Sequence, residues 1–298
     1  MAIDITFLGT SQAVPTAKRN HTSILVRYGS EMILVDCGEG TQRQFRIAGI
    51  NPCKLTRILI THWHGDHILG IPGLLQTLAL NGYNKTLYVY GPKGTKRFMD
   101  MIYQPFVFSG KIDVRVEEVA KREVIDTKDF VVEAFPLDHS TYCNAYSFAE
   151  KEKRRMDTSK IKKFGLKGEI IGRLQNGESV SYDSRTIKPD DVSYIQKGKK
   201  VAFLLDTAMC ENCINVAKDA DLLISEATYS SEIEKKASEY KHLTSANAAE
   251  IAKKAKAKKL ILTHLSQRYE NDEQKILREA KKIFAKTELA RDFMKVEV

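Results

Sequence analysis

The sequence predicts an α/β fold. Short β-rich runs alternate with helical patterns along a chain of 298 residues, and such alternation is typical of α/β proteins. The two halves of the chain contain similar strands that end in the same polar residues, and no Pro-rich or Ser-rich linker divides them. We therefore expect a single domain over residues 1–298.

Seven β-rich runs and three helical patterns lie in the first 150 residues. The helical patterns fall near residues 40–49, 68–81 and 93–102. The predicted strands read, in chain order, IDITFLGT, TSILVRYG, EMILVDCG, RILITHWH, KTLYVYG, IDVRVEEV and FVVEAFPLD.

The last third of the chain alternates again. KKVAFLLD precedes a helix near residues 211–219, and DLLISEAT precedes a helix from about 245 to 258 that leads into KLILTH. EMILVDCG (31–38) resembles KVAFLLDTA (200–208), and RILITHWH (57–64) resembles KLILTHLS (259–266). The repeat predicts two related halves with polar side chains at strand ends, where α/β proteins build sites. Chance similarity between short apolar strands is the alternative.

The composition indicates a soluble protein of the cytoplasm. Hydrophobic residues make up 43% and charged residues 29%, a balance that permits a sizeable core. No apolar stretch approaches the roughly 20 residues of a membrane span, and the first residues lack a basic signal-peptide region. Five cysteines without the spacing of a disulfide framework predict reduced thiols. We expect no membrane partner.

Four polar groups that can bind metal lie within residues 62–67, which read HWHGDH. His62 and His64 point the same way on an extended segment, and Gly65 permits a turn after which Asp66 and His67 can converge on them. Imidazoles and a carboxylate are the ligands of zinc, with manganese and iron as alternatives. Three of the seven histidines lie in these six residues, which favours a metal site over a polar surface loop.

Thr-His-x-His-x-Asp-His at a strand end resembles the metallo-β-lactamase superfamily. The resemblance implies a four-layer αββα sandwich with two zinc ions along one edge of its sheets. It also implies further ligands in AFPLDHS, AFLLDTA and LILTHLS. Two close zinc ions can present hydroxide at neutral pH, so hydrolysis is the expected chemistry. The implied ligands are His62, His64 and His139 for one zinc, Asp66, His67 and His264 for the second, and Asp206 as a bridge.

Longer motifs resemble the short form of tRNase Z, from the first strand almost to the C-terminus. They are FLGTSQAVPTAKRNHTS (7–23), ILVDCGEGTQ (33–42), LLISEATYSSEIEKKASEYKHLTS (222–245) and ILTHLSQRY (261–269). The resemblance implies an endoribonuclease that cuts precursor tRNA 3′ of the discriminator nucleotide. The products would be a 3′-hydroxyl on the tRNA and a 5′-phosphate on the trailer. It also implies a homodimer, in which one subunit's arm holds tRNA for the other subunit's site.

Three short elements carry this resemblance, two of them with departures. Residues 225–228 match a His-Glu-Ala-Thr element with Ser225 in first place, and residues 242–244 match a His-Ser-Thr element with Leu243 in the middle. Both departures spare Glu226, His242 and the hydroxyl of Thr244. The third element, a Pro-x-x-Lys-Arg-Asn-like loop, is matched by Pro15, Lys18, Arg19 and Asn20.

These matches suggest roles. Cleavage of a phosphodiester leaves an alkoxide that needs a proton, and we expect His242 to supply it, oriented by Glu226; a surface histidine at a helix start is the alternative. The resemblance implies that Asp66 is a base as well as a ligand. His21 is expected to be a structural loop residue. Lys18 and Arg19 are candidate RNA contacts, as is Arg268, for which an ordinary salt bridge is the alternative.

A basic segment predicts the nucleic-acid contact. The chain carries a net charge of +9, and residues 150–173 contain nine Lys or Arg and four Asp or Glu, a net of +5. Sparse apolar residues and spaced glycines favour a flexible inserted arm at about 150–175. The resemblance implies an arm that grips the tRNA elbow, although the Gly-Pro tip common in the family is missing; a disordered loop is the alternative. The candidate RNA contacts are Arg154, Arg155, Lys162, Lys163 and Lys167.

Two alternatives to the precursor-tRNA nuclease are a small-molecule metallohydrolase, such as a phosphodiesterase or lactonase, and a non-catalytic RNA-binding relative. A small-molecule metallohydrolase does not explain the basic segment. A non-catalytic RNA-binding protein does not explain the complete ligand set or His242. Cys210 and Cys213 form a single C-x-x-C. Without a second pair, they are expected to be ordinary thiols rather than a redox centre.

Overall fold

The computed structural model describes residues 2–105, 112–120 and 122–298. The strands within these ranges are β1 (Asp4–Gly9), β2 (Ser23–Tyr28), β3 (Glu31–Val35), β4 (Arg57–Leu59), β5 (Thr86–Gly91), β6 (Asp113–Glu118), β7 (Arg122–Asp126), β8 (Phe130–Leu137), β9 (Cys143–Glu150), β10 (Lys153–Met156), β11 (Val180–Tyr182), β12 (Arg185–Ile187), β13 (Ser193–Gln196), β14 (Lys200–Leu204), β15 (Leu222–Glu226), β16 (Leu260–Thr263), β17 (Thr287–Leu289) and β18 (Lys295–Glu297).

Helices connect and cover the strands, with short 3₁₀ turns at Pro52–Lys54, Ser231–Ile233 and Gln267–Tyr269. The α-helices are α1 (Thr41–Ile47), α2 (Gly65–Ile68), α3 (Ile71–Leu80), α4 (Thr95–Tyr103), α5 (Thr158–Lys163), α6 (Glu169–Gln175), α7 (Pro189–Val192), α8 (Glu211–Ala217), α9 (Glu234–Glu239), α10 (Ser245–Lys254) and α11 (Glu273–Ile283). Among the described residues, no helix is long and apolar enough to span a membrane.

Two seven-stranded sheets contain most of the strands. The first has the order β18-β1-β2-β3-β4-β5-β6, and the second has the order β17-β16-β15-β14-β9-β8-β7. Each sheet joins an antiparallel part to a parallel run, which is β3 to β6 in the first sheet and β14 to β17 in the second. The repeated strands β3 and β14 therefore hold the same place in the two sheets.

Three apolar clusters hold the layers together. One lies between the sheets and contains Phe7 and Phe203. Another packs α1, α3 and α4 on the first sheet around Phe45, and the third packs α8, α10 and α11 on the second sheet around Ile251. Full burial of each such side chain contributes about 1.5–3 kcal/mol. The order helix, sheet, sheet, helix confirms the predicted four-layer αββα sandwich.

The central parallel strands of the second sheet are mostly apolar, which made them recognisable in the sequence. β14, β15 and β16 are buried along almost their whole length, as expected for parallel strands covered on both faces. β8 instead alternates between buried and partly exposed residues. The elements that the sequence analysis did not identify include β7 and the amphipathic helix α11.

The basic segment differs from its predicted form. The inserted segment runs from β10 to β13, over residues 153–196, and is longer than the arm expected at about 150–175. It contains two small two-stranded sheets, β10 with β13 and β11 with β12. It also buries a small apolar cluster that includes Leu166, Leu174 and Val192. We call residues 153–196 the insert. The sequence did not reveal this cluster because its members are scattered along the insert.

Candidate metal centre

Seven side chains that can bind metal meet at one edge of the two sheets. The loops that follow strands β4, β8, β14 and β16 supply them. Because neighbouring parallel strands end at a common edge, residues distant in sequence converge there. The residues are the seven that the sequence analysis had assigned to the site: His62, His64, Asp66, His67, His139, Asp206 and His264.

The first half of the edge is built by the segment after β4. His62 and His64 lie on extended chain, and α2 then brings Asp66 and His67 around. Gly65 opens α2 without the left-handed backbone that only glycine adopts easily, so the helical turn makes the side chains converge. His264, in contrast, has a φ of 56°, an uncommon conformation for a side-chain-bearing residue that is concentrated at functional sites.

One group of donors consists of three imidazole nitrogens. His64 Nδ1 lies 3.0 Å from His62 Nε2 and 3.2 Å from His139 Nε2. Asp206 Oδ2 approaches His62 Nε2 to 3.6 Å. A zinc ion with ligands at about 2.0–2.1 Å in a tetrahedron separates them by roughly 3.3 Å. The observed spacing therefore suits one zinc-sized ion.

A second group faces the other oxygen of Asp206. His67 Nε2 and His264 Nε2 are 3.1 Å apart, and Asp66 Oδ2 lies 3.4 Å from each. Asp206 Oδ1 is 3.1 Å from His264 Nε2 and 3.5 Å from His67 Nε2. Asp206 thus presents one oxygen to each group, which is the geometry of a bridging carboxylate.

Hydrogen bonds fix which nitrogen each histidine turns to the centre. His67 Nδ1 donates to Asp36 Oδ2 at 2.6 Å, and His139 Nδ1 donates to the Lys241 carbonyl at 3.1 Å. The outer nitrogens of the other three have hydroxyl partners: Thr61 for His62 at 3.0 Å, Ser140 for His64 at 3.3 Å and Thr228 for His264 at 3.0 Å. A histidine whose outer nitrogen donates its hydrogen turns an unprotonated nitrogen to the metal.

Burial and charge leave these groups in metal-binding protonation states. Burial lowers the pKa of His62, His64 and His139, which favours their neutral forms. Burial opposes ionisation of Asp66 and Asp206, but the neighbouring histidines outweigh it and hold the pKa of both carboxyls below the usual range.

Two features favour a cation among these donors. Asp206 Oδ1 is a buried oxygen without a hydrogen-bond partner in the described parts of the chain, and an unsatisfied buried charge is costly. Burial would lower the pKa of His67, but Asp206, Asp36 and Asp66 raise it, because these carboxylates favour positive charge at this position. The nitrogen and oxygen donors suit zinc, and also manganese or iron.

Asp36 is the main residue that the sequence analysis missed. Besides holding His67, its carboxylate accepts the backbone N–H and the hydroxyl of Thr61, both at 2.7 Å. Asp36 is fully buried and follows β3 directly. The repeated pattern had matched Asp36 with Asp206, so the signal was present, but the two carboxylates serve different purposes.

His242 lies beside the second group. Its Nδ1 is 3.2 and 3.3 Å from the two oxygens of Glu226, and Glu226 is fully buried. Burial would lower the pKa of His242, but the charges of Glu226 and Asp206 raise it to about 9. Thr228, which was not assigned a role, donates its hydroxyl to Glu226 Oε2 at 2.6 Å and so links this pair to His264.

One predicted RNA contact is wrong. Arg19 is buried, and its guanidinium bonds Glu273, the Thr10 hydroxyl and the Ala290 carbonyl at 2.5–2.7 Å. Its donors are therefore used to hold the loop that contains it. Lys18 and Arg268 are exposed. His21 is buried with Nε2 3.1 Å from the Ala13 carbonyl, in keeping with its expected structural role.

The candidate contacts in the insert fall into two classes. Arg154 bonds Asp190 at 2.5 Å and the Ser193 hydroxyl at 2.6 Å, and Arg155 bonds Gln196 at 2.7 Å. These arginines brace β10 against β13 and the α7 segment. Arg155 is nevertheless exposed, as are Lys162, Lys163 and Lys167.

Cys210 and Cys213 lie at the start of α8, with their sulfurs 3.5 Å apart. A hydrogen bond from the Cys213 thiol lowers the pKa of Cys210 to about 5. The thiols are free, and neither belongs to the group of seven donors.

Comparison with known proteins points to one family. The chain is 45% identical to ribonuclease Z of Methanothermobacter thermautotrophicus, over 99% of this chain and 97% of the relative. It is 38% identical to ribonuclease Z of Archaeoglobus fulgidus, over 100% and 98%. A family profile described as anti-Pycsar protein Apyc1 matches residues 3–98.

Solved structures share the fold. The crystal structure of human tRNase Z, short form, matches with a TM-score of 0.72 and 27% identity, over 98% of each chain. The metallo-β-lactamase fold protein YhfI from Bacillus subtilis matches with a TM-score of 0.73 over 100% of this chain and 99% of that chain. Its 20% identity is a likeness of fold alone.

The hydrogen bond from His67 to Asp36 predicts a loss of metal affinity in Asp36→Asn. An amide cannot hold the imidazole in the same way, and such losses typically weaken metal binding about 10- to 100-fold. Competition with a chromophoric chelator measures the affinity. Asp113→Asn, at an exposed carboxylate on β6, is the matched control and should bind as the parent does. Equal affinity in all three proteins would contradict the role assigned to Asp36.

Proposed function

The chain belongs to the ribonuclease Z family, and we propose that it removes the 3′ trailer from precursor tRNA by a zinc-dependent cut after the discriminator nucleotide. Membership makes it a hydrolase of the endoribonuclease class. The observation that carries the proposal is full-length similarity to ribonuclease Z, at 45% identity, together with a complete set of metal donors beside His242.

Two zinc ions are the proposed cofactor. His62, His64 and His139 would hold one, and Asp66, His67 and His264 would hold the other, with Asp206 between them. Bound zinc supplies a nucleophile from water at neutral pH and neutralises charge that develops on the phosphate. Asp66 remains ionised because neighbouring histidines lower its pKa, which suits it as a metal ligand. Its second proposed role, as base for the attacking water, rests on the family resemblance.

His242 is the proposed general acid. Glu226 holds Nδ1, which leaves Nε2 free to protonate the departing 3′-oxygen of the tRNA. A pKa of about 9 keeps His242 protonated at neutral pH, and Glu226 stabilises that charge. The products are a 3′-hydroxyl on the tRNA and a 5′-phosphate on the trailer.

The insert is the proposed tRNA-binding element. Lys162, Lys163 and Lys167 are exposed on it, and RNA helices are bound largely through phosphates and 2′-hydroxyls. Lys18, in the Pro-x-x-Lys-Arg-Asn-like loop, and Arg268, four residues after His264, are further proposed contacts. The family resemblance further supports a cytoplasmic homodimer in which each insert serves the partner's site.

Purified protein should cut a labelled precursor tRNA once, near the discriminator, and chelator should stop the reaction because the donors then lack their cations. His64→Ala should lose the cut, while Asp113→Asn should retain it. Gel mapping of the products measures position and rate. Intact RNA alongside hydrolysis of a small phosphodiester would favour the alternative, a small-molecule metallohydrolase.

Replacing the insert with a short linker distinguishes a precursor-tRNA nuclease from a small-molecule metallohydrolase. Glu150 N–H bonds the Lys199 carbonyl at 2.8 Å, so a short Gly-Ser linker can join β9 to β14. This variant should still hydrolyse bis(p-nitrophenyl) phosphate, since every metal donor lies outside the insert. It should lose precursor-tRNA binding; retention of parental affinity would exclude the insert as the tRNA-holding element.

The His242–Glu226 pair predicts a pH effect. A general acid must be protonated, so the rate should fall as the pH rises through the His242 pKa of about 9. Glu226→Gln removes the charge that raises this pKa and should move the basic limb down by about 1–3 pH units. Single-turnover rates across pH test this, with Glu288→Gln, at an exposed position, as control. Superimposable profiles for all three proteins would rule out the pairing.

A further inference from the structure

A cavity opens directly beside the candidate metal centre and has no role in the chemistry described so far. It has a volume of about 590 Å³, which is within the usual range for ligand sites. His139, itself one of the metal donors, and Ser140 both line the cavity, and Ser140 Oγ lies 3.3 Å from His64 Nε2. A molecule in the cavity would therefore lie next to the group bound at the centre.

Apolar and aromatic groups dominate the lining. Val119, Pro136 and Leu137 line the cavity together with Tyr142. Tyr142 is 61% exposed, which is unusual for so large a ring next to a buried site. An exposed ring over an apolar cavity offers a flat surface on which another ring can stack.

A positive charge accompanies this ring. Lys93 also lines the cavity, and its Nζ lies 5.5 Å from the centre of the Tyr142 ring. No ion pair holds Lys93 among the described residues. A flat aromatic surface with a free ammonium beside it matches a nucleotide, which combines a base with a phosphate.

The walls are fixed before any ligand binds. Trp63 Nε1 donates to Thr95 Oγ1 at 2.8 Å, and Thr95 in turn donates to the Pro92 carbonyl at 2.7 Å, which holds the turn that carries Lys93. Two other lining residues are also joined, since Asn144 Nδ2 donates to the Val119 carbonyl at 2.8 Å. A preformed cavity loses little free energy to ordering when it binds.

We infer that this cavity is a nucleotide subsite, in which one base of the RNA strand flanking the scissile phosphate stacks on Tyr142 while Lys93 pairs with a neighbouring phosphate. The inference rests on the proposed function, because it needs RNA at the metal centre. Every base has a stacking face, so the subsite accepts any base. Two nucleotides can supply that base: the discriminator on the tRNA side, or the first nucleotide of the trailer.

Equilibrium binding tests the subsite without requiring cleavage. The zinc-loaded protein is titrated with precursor tRNA whose scissile bridging oxygen is replaced by a methylene group. Tyr142→Ala should weaken binding of the intact sequence about 5- to 100-fold, as expected for loss of one stacked base. Tyr142→Phe keeps the ring and should bind as the parent does.

Two further RNAs identify the base. One lacks the base at the discriminator, and the other lacks it at the first trailer nucleotide. For one of these RNAs, Tyr142→Ala should no longer weaken binding. The base missing from that RNA is the base that stacks on Tyr142. The same loss for all three RNAs, or no loss for any, would overturn the subsite.

Salt dependence tests the lysine. Lys93→Met should reduce the slope of log affinity against log salt by about 0.7, the value for one phosphate of a single strand. An unchanged slope would remove Lys93 from the subsite. Failure of the parent to cut normal precursor tRNA would overturn the proposed function, whereas failure of the base-specific coupling alone would overturn only the subsite.

Discussion

Five histidines at the metal centre each have one ring nitrogen engaged by a neighbouring oxygen, so their other nitrogens point at one another across about 3 Å. Lone pairs at that separation repel unless a proton or cation lies between them. Asp66 and Asp206 add two carboxylates whose pKa values are held low. The donors at this edge of the sheets therefore suit a bound cation.

The rest of the fold keeps those groups in place. Each sheet contributes strand ends to the site, and the apolar cluster between the sheets holds the two sets of ends in register. The backbone N–H of Asn144 also donates to the Thr61 carbonyl at 2.9 Å, which joins β9 to the segment before His62. A buried polar group that lacks some of its hydrogen bonds destabilises the fold. The histidine nitrogens that face away from the centre avoid this cost by bonding oxygens such as those of Asp36 and Thr228.

The sequence was informative where residue type and spacing carry the chemistry. HWHGDH (62–67) indicated a metal site by itself, whereas His139, Asp206 and His264 came from the family resemblance, since a lone polar residue after a strand has many explanations. Asp36 and Thr228 were missed because their partners are known only from three-dimensional contacts. Arg19 was misassigned because a motif carries no information on burial. The segment at about 150–175 was expected to be flexible because its apolar residues are sparse and its glycines are spaced, and only the fold brings those apolar residues together.

Anomalous X-ray scattering at the zinc edge, on crystals grown with zinc, tests the central claim most directly. Two peaks about 3.5–4 Å apart should lie on either side of Asp206, one among His62, His64 and His139 and the other among Asp66, His67 and His264. A single peak, or peaks away from these side chains, would contradict the assignment of this edge as a two-metal centre.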